Sequence, residues 1–385
     1  MHEHISEFES LQLKESLLKG VFAYGFSTPS QIQKDAIPSI ASGESVVVQS
    51  KNGTGKTATF LLGVLQRMDP AKKGVQAIIV SPTRDLAIQT FNVFSGLSKF
   101  MSMRGHCAIG QDKKINADVS ALQNCTVLFG TPGRLLHLTK ESFKSFSNLQ
   151  VVVLDEADRT LESGFGLPVK NLFETIKPLN PQFVFVSATL PSEVTEMLTL
   201  FLDEPKMFLV PQEKLALSQI SQFYVKVPAK EKFETVCNIL SVVTISQAVI
   251  FANRKETVSE ICKKMQLHEF PAVAVHGSLE QAERNKRMGD FLSGKFRILV
   301  STDVTSRGID AAHVNLVINY DVPHTAEEYL HRIGRGGRFG KTSIAVTLTE
   351  PEEYNSAQNA FGAYGKTMQK FEMDKHSVYH QHSNE

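Results

Sequence analysis

Short apolar runs rich in β-branched residues recur along this chain, each separated from the next by room for a helix. That rhythm constrains the fold more than any other feature. In the first half the runs occupy residues 46–49, 77–81, 126–129, 151–154 and 183–187, with helix-like periodicity over 58–68 and 86–99. Strands apolar on both faces are covered on both sides, and strands alternating with helices are joined by crossovers, so a parallel sheet is predicted. After Pro205 the pattern weakens through 207–221, where a linker is expected. A second series follows at 248–252, 272–276, 298–301, 316–319 and 344–348. At 385 residues and 42% apolar content the chain is too long for one comfortable core. The expectation is α/β: two tandem domains, each a mainly parallel sheet flanked by helices.

Composition narrows the function classes. No apolar run approaches the roughly 20 residues of a membrane span. Met1-His2-Glu3-His4 has neither the basic region nor the following apolar stretch of a signal peptide. Cys107, Cys125, Cys237 and Cys262 are far apart and lack metal-ligand spacing, which fits reduced thiols in a cytoplasmic or nuclear protein. With 41 basic and 40 acidic residues the net charge is +1, so any binding of nucleic acid must come from a local groove.

Two motifs carry the chemistry of the first half. Ser50-Lys51-Asn52-Gly53-Thr54-Gly55-Lys56-Thr57 lies between a strand run and a helix pattern. Gly53 and Gly55 let the backbone turn tightly and approach phosphates closely. Lys56 can then neutralise β- and γ-phosphate charge, and the Thr57 hydroxyl can ligate Mg²⁺. Ser50 stands where the general phosphate-loop pattern has its first glycine. Asp155-Glu156-Ala157-Asp158 closes the run at 151–154, and the carboxyl end of a strand is where an open α/β sheet binds ligands. Asp155 would hold the metal, and Glu156 would orient and deprotonate an attacking water. Alone, the tetrapeptide reads as a solvated turn; beside a phosphate loop it reads as a nucleotide site. Ser187-Ala188-Thr189 ends another strand run, and its hydroxyls could bond the acidic cluster.

With these motifs in order, the chain resembles the helicase core of the DEAD-box ATP-dependent RNA helicases, from Phe8 to about Leu348. The resemblance implies two RecA-like domains, ATP and Mg²⁺ as ligands, and hydrolysis of an acid anhydride. Gly25-Phe26-Ser27-Thr28-Pro29-Ser30-Gln31-Ile32-Gln33 resembles the Q motif, with Gln33 reading adenine and Phe8 covering the base. A Gln amide both donates and accepts, which suits the adenine edge. Pro82-Thr83-Arg84-Asp85-Leu86-Ala87 and Thr131-Pro132-Gly133-Arg134 each follow a strand run and start a helix pattern. By similarity they hold the RNA sugar-phosphate backbone, with Gly110-Gln111 where the family has a glycine pair. In the second half, Arg254, Gly277, Gln281, Arg284, Thr302 and Arg307 are RNA-binding by resemblance, and Asp310 contacts the ATP ribose. His331-Arg332-Ile333-Gly334-Arg335-Gly336-Gly337-Arg338 resembles motif VI, with Arg335 and Arg338 as arginine fingers. Its glycines argue against a long helix, so a helix start or turn is expected there. His331, Asp158, Ser187 and Thr189 are expected to couple the two domains. Ser306 and Gly336 depart from the family's usual alanine and threonine without removing a catalytic group.

The implied organisation is a Q-motif segment at 1–36, an ATP-binding domain at 37–207, a linker at 208–221, a second domain at 222–372 and a disordered tail at 373–385. The implied function is RNA-stimulated ATP hydrolysis that opens short duplexes or remodels RNA–protein complexes. Backbone-only contacts would give little sequence preference. The expected partners are RNA and ribonucleoprotein proteins, with no membrane and a monomeric core in the cytoplasm or nucleus. An ATP-gated RNA clamp for ribonucleoprotein assembly is the alternative, and DNA as the substrate a third reading. Residues 305–307 and 315–319 resemble the DEAD-box subunit of the SMN complex, whereas 13–26 resembles translation-initiation helicases, so the subfamily stays open.

Overall fold

The computed structural model describes residues 7–50, 54–110, 115–161, 166–209, 220–303, 313–336, 342–355, 357–358 and 368–372. The chain divides into two compact units, Met1–Val210 and Pro211–Glu385.

In the first unit the strands are β1 (Val46–Gln49), β2 (Ala77–Val80), β3 (Gly105–Ala108), β4 (Val127–Gly130), β5 (Val151–Leu154), β6 (Gln182–Ser187) and β7 (Lys206–Leu209). They form one sheet in the order β3-β4-β2-β5-β6-β1-β7. Every neighbouring pair is parallel. The helices are α1 (Glu15–Ala23), α2 (Gln31–Ser42), α3 (Lys56–Arg67), α4 (Arg84–Leu97), α5 (Ile115–Leu122), α6 (Pro132–Glu141), α7 (Ala157–Thr160), α8 (Gly166–Ile176) and α9 (Ser192–Phe201). Side chains alternate between the sheet faces, as the strand period of two requires. Val46, Val48, Ile79 and Val153 join one apolar cluster, while Val47, Ile78 and Val152 join the other. That double burial is why these strands read as continuous apolar runs.

The second unit repeats the plan with β8 (Ile220–Lys226), β9 (Gln247–Phe251), β10 (Ala272–Val275), β11 (Ile298–Ser301), β12 (Val314–Asn319), β13 (Ser343–Thr349) and β14 (Gln369–Lys370). The order is β10-β11-β9-β12-β13-β8-β14, again parallel throughout. Its helices are α10 (Lys232–Val242), α11 (Lys255–Leu267), α12 (Gln281–Leu292) and α13 (Ala326–Ile333). Both units therefore have the sheet-and-helix architecture expected from the alternating pattern.

Three expectations change. The weak stretch at 207–221 is not all linker, because β7 occupies its start and β8 begins at Ile220. Both strands carry half-exposed or exposed positions, so pairing rather than an apolar run defines them. The segment 1–36 is not separate from the domain that follows: Phe8, Leu17 and Val21 belong to the same buried cluster as Val46, and α2 crosses the proposed boundary. Motif VI sits at a helix end and turn rather than a helix start: Arg332 is in the last turn of α13, which stops at Ile333 with Gly334 as its cap, and Arg335 follows in a turn. The tail at 373–385 lies outside the described residues. Among the described residues, no helix is long and apolar enough to cross a membrane.

Candidate functional site

Strand order sorts the first unit's motifs into two adjoining territories along the carboxyl edge of its sheet. β5, β6 and β1 are consecutive neighbours, and Asp155, Ser187 and Ser50 stand at their ends. β3, β4 and β2 are likewise consecutive, and they lead to Gly110, Thr131 and Pro82. Residues scattered through the sequence thus become two groups.

The first group centres on the start of α3. Gly55 caps that helix with a φ of +88°, in the left-handed region that favours glycine. Lys56 is buried, with Nζ 2.5 Å from the Ser50 carbonyl, and Thr57 follows it on the first turn. The Ser50 and Thr54 hydroxyls lie 2.7 Å apart. Ser30 and Gln33 form a capping box at the start of α2 and are tied to the same loop. The Ser30 hydroxyl donates to the Thr54 carbonyl at 2.9 Å, and Gln33 Nε2 faces the Gly55 carbonyl at 3.4 Å. Gln33 Oε1 accepts from the Ser30 N–H at 2.8 Å, so part of the amide's capacity is already used. Phe8 is 0% exposed, with its ring centroid 6.5 Å from that of Phe26. It packs as a core residue of the first unit.

Asp155 is buried at the end of β5. Burial pushes its carboxyl up to about 7; Glu156 adds to the rise and Lys56 opposes it. A nearby cation is the chemistry that returns such a carboxylate to its charged form. Glu156 occupies the left-handed region at a φ of 45°, a strained position for a residue with a side chain. Arg159 Nη1 holds its Oε2 at 2.6 Å. Asp158 collects the other strand end: its Oδ2 accepts from the Thr189 N–H and hydroxyl, both at 2.9 Å. The Asp158 N–H in turn donates to the Ser187 hydroxyl at 3.1 Å. Within this acidic turn Asp158 therefore acts as a structural clasp to the end of β6.

In the second group, the Thr83 hydroxyl caps α4 by accepting from the Leu86 N–H, which places Arg84 on the first turn. Gly110, with a φ of +67°, lies near the Arg84 guanidinium: a Cβ there would be 4.0 Å from Nη2. Thr131 and Pro132 begin α6, and a Cβ on Gly133 would meet nothing within 4 Å. Arg134 is not the exposed cation expected of a phosphate grip. Its Nε and Nη2 bond Asp118 Oδ2 at 2.8 and 2.6 Å.

The second unit gathers its candidates on three adjacent strands. β10, β11 and β9 lead to Gly277, Thr302 and Arg254. Arg284 on α12 donates to the Gly277 carbonyl at 3.0 Å and to Gln281 Oε1 at 3.3 Å. Arg332 is a buried hub: its guanidinium bonds Asp303 at 2.7 and 2.5 Å, Asn253 Oδ1 at 2.7 Å and the Asp321 carbonyl at 2.9 Å. Arg335 is buried, with Nε on the His331 carbonyl at 2.9 Å. Lys51, Asn52, Gly53, Arg307, Asp310 and Arg338 lie outside the described residues.

Comparison with known proteins decides the family. The DEAD/DEAH box helicase family model matches residues 30–197, and the helicase conserved C-terminal domain model matches 231–340. The ATP-dependent RNA helicase FAL1 of Candida albicans is 44% identical over 362 residues, covering 91% of this chain and 90% of that protein. This chain belongs to the DEAD/DEAH box helicase family. The ATP-dependent RNA helicase eIF4A of Neurospora crassa is 40% identical, covering 97% of this chain and 94% of its own length. Among solved structures, S. cerevisiae Dbp5 bound to RNA and ADP BeF3 superposes with a TM-score of 0.86 at 28% identity, covering 98% of each chain. Mss116p bound to ssRNA and AMP-PNP gives a TM-score of 0.82 at 27% identity, covering 96% of this chain and 79% of that one.

Within this helicase chain, sequence reading missed Arg159, Asp118 and His106 and gave Arg332 no role. Arg159 stands three residues after Glu156, a spacing that brings helical side chains together. Asp118 shares a buried helix face with Leu122, four residues on, which marks an acid pointing inward. Asn253 and Asp321 left no such signal, because their partners are distant in sequence.

Proposed function

We propose that this chain is an ATP-dependent RNA helicase whose hydrolysis is stimulated by RNA. The observation that carries the reading is the approach of Lys56, at the helix start after β1, to Asp155 and Glu156, at the end of β5, across the end of the intervening β6, in a chain of this family. Thr54, Gly55 and Lys56, with Ser50 and Lys51–Gly53, would cradle the triphosphate of ATP, and the remaining amide valences of Gln33 would meet the base. Among the described residues no group of three or more His, Cys, Asp or Glu side chains could hold a metal unaided. One carboxylate with one hydroxyl is nonetheless a normal protein share for Mg²⁺, whose shell phosphates and water complete. Asp155 and Thr57 fit that part, and the ion would offset charge on the phosphates. Glu156 would orient the attacking water and accept its proton. From the second unit, Asp310, Arg335 and Arg338 would act on the same nucleotide, so turnover would require both units.

RNA would run along Pro82, Thr83, Arg84, Gly110, Thr131 and Gly133 in the first unit. In the second it would meet Arg254, Gly277, Gln281, Arg284, Thr302 and Arg307. Binding to both units would favour the hydrolytic arrangement, which is linkage between two ligands. The RNA-bound relatives support this choice of substrate. Local strand opening would also displace bound proteins, so ribonucleoprotein components in cytoplasm or nucleus are the expected protein partners.

Glu156→Gln tests the reading. The variant should fold and bind ATP yet lose RNA-stimulated hydrolysis and strand separation; hydrolysis at the parent rate would remove Glu156 as the base.

A further inference from the structure

Asp118 on α5 is 1% exposed, yet it is bonded from two other elements. Arg134, in the first turn of α6, grips Oδ2 through Nε at 2.8 Å and Nη2 at 2.6 Å. His106 Nε2 on β3 lies 2.8 Å from Oδ1. A carboxylate only accepts, so His106 must carry its proton on Nε2. One buried acid thus fastens β3 and α6 to α5.

Both fastened elements end at proposed RNA contacts. β3 stops at Ala108, just before Gly110, and α6 begins beside Thr131 and Gly133. Neither Gly110 nor Gly133 offers a side chain, so the spacing of their backbone groups is what a strand of RNA would feel. Arg134, with two donors committed to Asp118, has its charge matched inside the protein.

We propose that Asp118 is a positioning residue for RNA binding: by locking Arg134 and His106 it fixes the distance between Gly110 and the start of α6, so that both meet one RNA backbone together. This rests on the RNA-binding reading of that surface. Removing one partner of a buried pair leaves the other charge uncompensated, so the clasp cannot be dropped without local rearrangement.

The sign of the effect is diagnostic. By field alone, neutralising an acid near a polyanion site should tighten RNA binding. Positioning demands the opposite. In the full chain, Asp118→Asn should raise the RNA concentration for half-maximal ATPase stimulation about tenfold, roughly one lost charge-assisted bond. Turnover at saturating RNA and nucleotide affinity should stay at parent values, a split that general destabilisation would not produce. Unchanged or tighter RNA binding by the folded variant would overturn the proposal. Should Asp118→Asn fail to fold, Arg134→Lys carries the test, since it keeps the charge and loses the two-pronged grip. The same rise supports the clasp, and a parent-like value overturns it. Arg84→Ala serves as the control on the surface itself. If it too leaves RNA binding unchanged, the surface is misassigned; if it weakens binding while the Asp118 variant does not, only the clasp fails.

Discussion

Gly55 is held to glycine by two independent constraints. Its φ is +88°, and a Cβ there would come within 2.6 Å of Gln33 Nε2. Gly55→Ala should therefore strain the turn by roughly 1–2 kcal/mol and push Gln33 off the loop. The expected outcome is a fall of at least about tenfold in nucleotide affinity, checked by titration with a fluorescent ATP analogue. Lys56→Ala removes the loop's buried ammonium and should cut ATP turnover by roughly 10²–10³, the usual effect of losing one electrostatic donor. A thermal melt should show the fold retained. Candidate residues of this local kind were legible because loop chemistry needs particular side chains at fixed offsets. The burial of Phe8 and the pairing of Arg134 with Asp118 were not legible, for the opposite reason: whether a ring or guanidinium faces outward depends on elements far away in sequence, here the first-unit core and α5.

At the scale of elements, strand ends and helix starts carry the candidate chemistry, and buried polar clasps keep them in place. Asp158 satisfies the Thr189 N–H and hydroxyl and the Arg159 N–H, joining the turn after β5 to the end of β6. Asp158→Ala would leave the two buried Thr189 donors without that acceptor, at about 1–3 kcal/mol each, while the Arg159 N–H keeps the Glu156 carbonyl at 3.0 Å. Destabilisation of at least about 2 kcal/mol is expected, read as a lower denaturant midpoint for the first unit. The packing of α1 on α4 is equally intolerant, since a Cβ on Gly20 would sit 1.9 Å from the Leu97 carbonyl oxygen. Strands buried on both faces, such as β1 and β5, announced themselves as apolar runs. β3 and β7, at the two edges of the sheet, did not, because half their positions need not be apolar. β8 was missed because buried and half-exposed positions mix along it, and its first two residues fell in the expected linker.

For the molecule as a whole, the proposed activity divides its groups between two units of like architecture and unlike motifs. Each sheet presents its candidates on consecutive strands, so either unit has a coherent surface, and the account requires both for turnover. RNA that engages both should raise ATPase activity, and its effect should weaken with salt as backbone contacts are screened. The salt series is checked by measuring half-saturating RNA at several ionic strengths; a flat dependence would argue against a phosphate grip. The proposed part of Arg335 in turnover is tested most directly by steady-state ATP hydrolysis of Arg335→Ala at saturating RNA. Loss of an arginine finger predicts a turnover decrease of roughly 10³ or more, with RNA affinity changed far less. Hydrolysis at the parent rate, or equal losses in turnover and RNA affinity, would contradict the account.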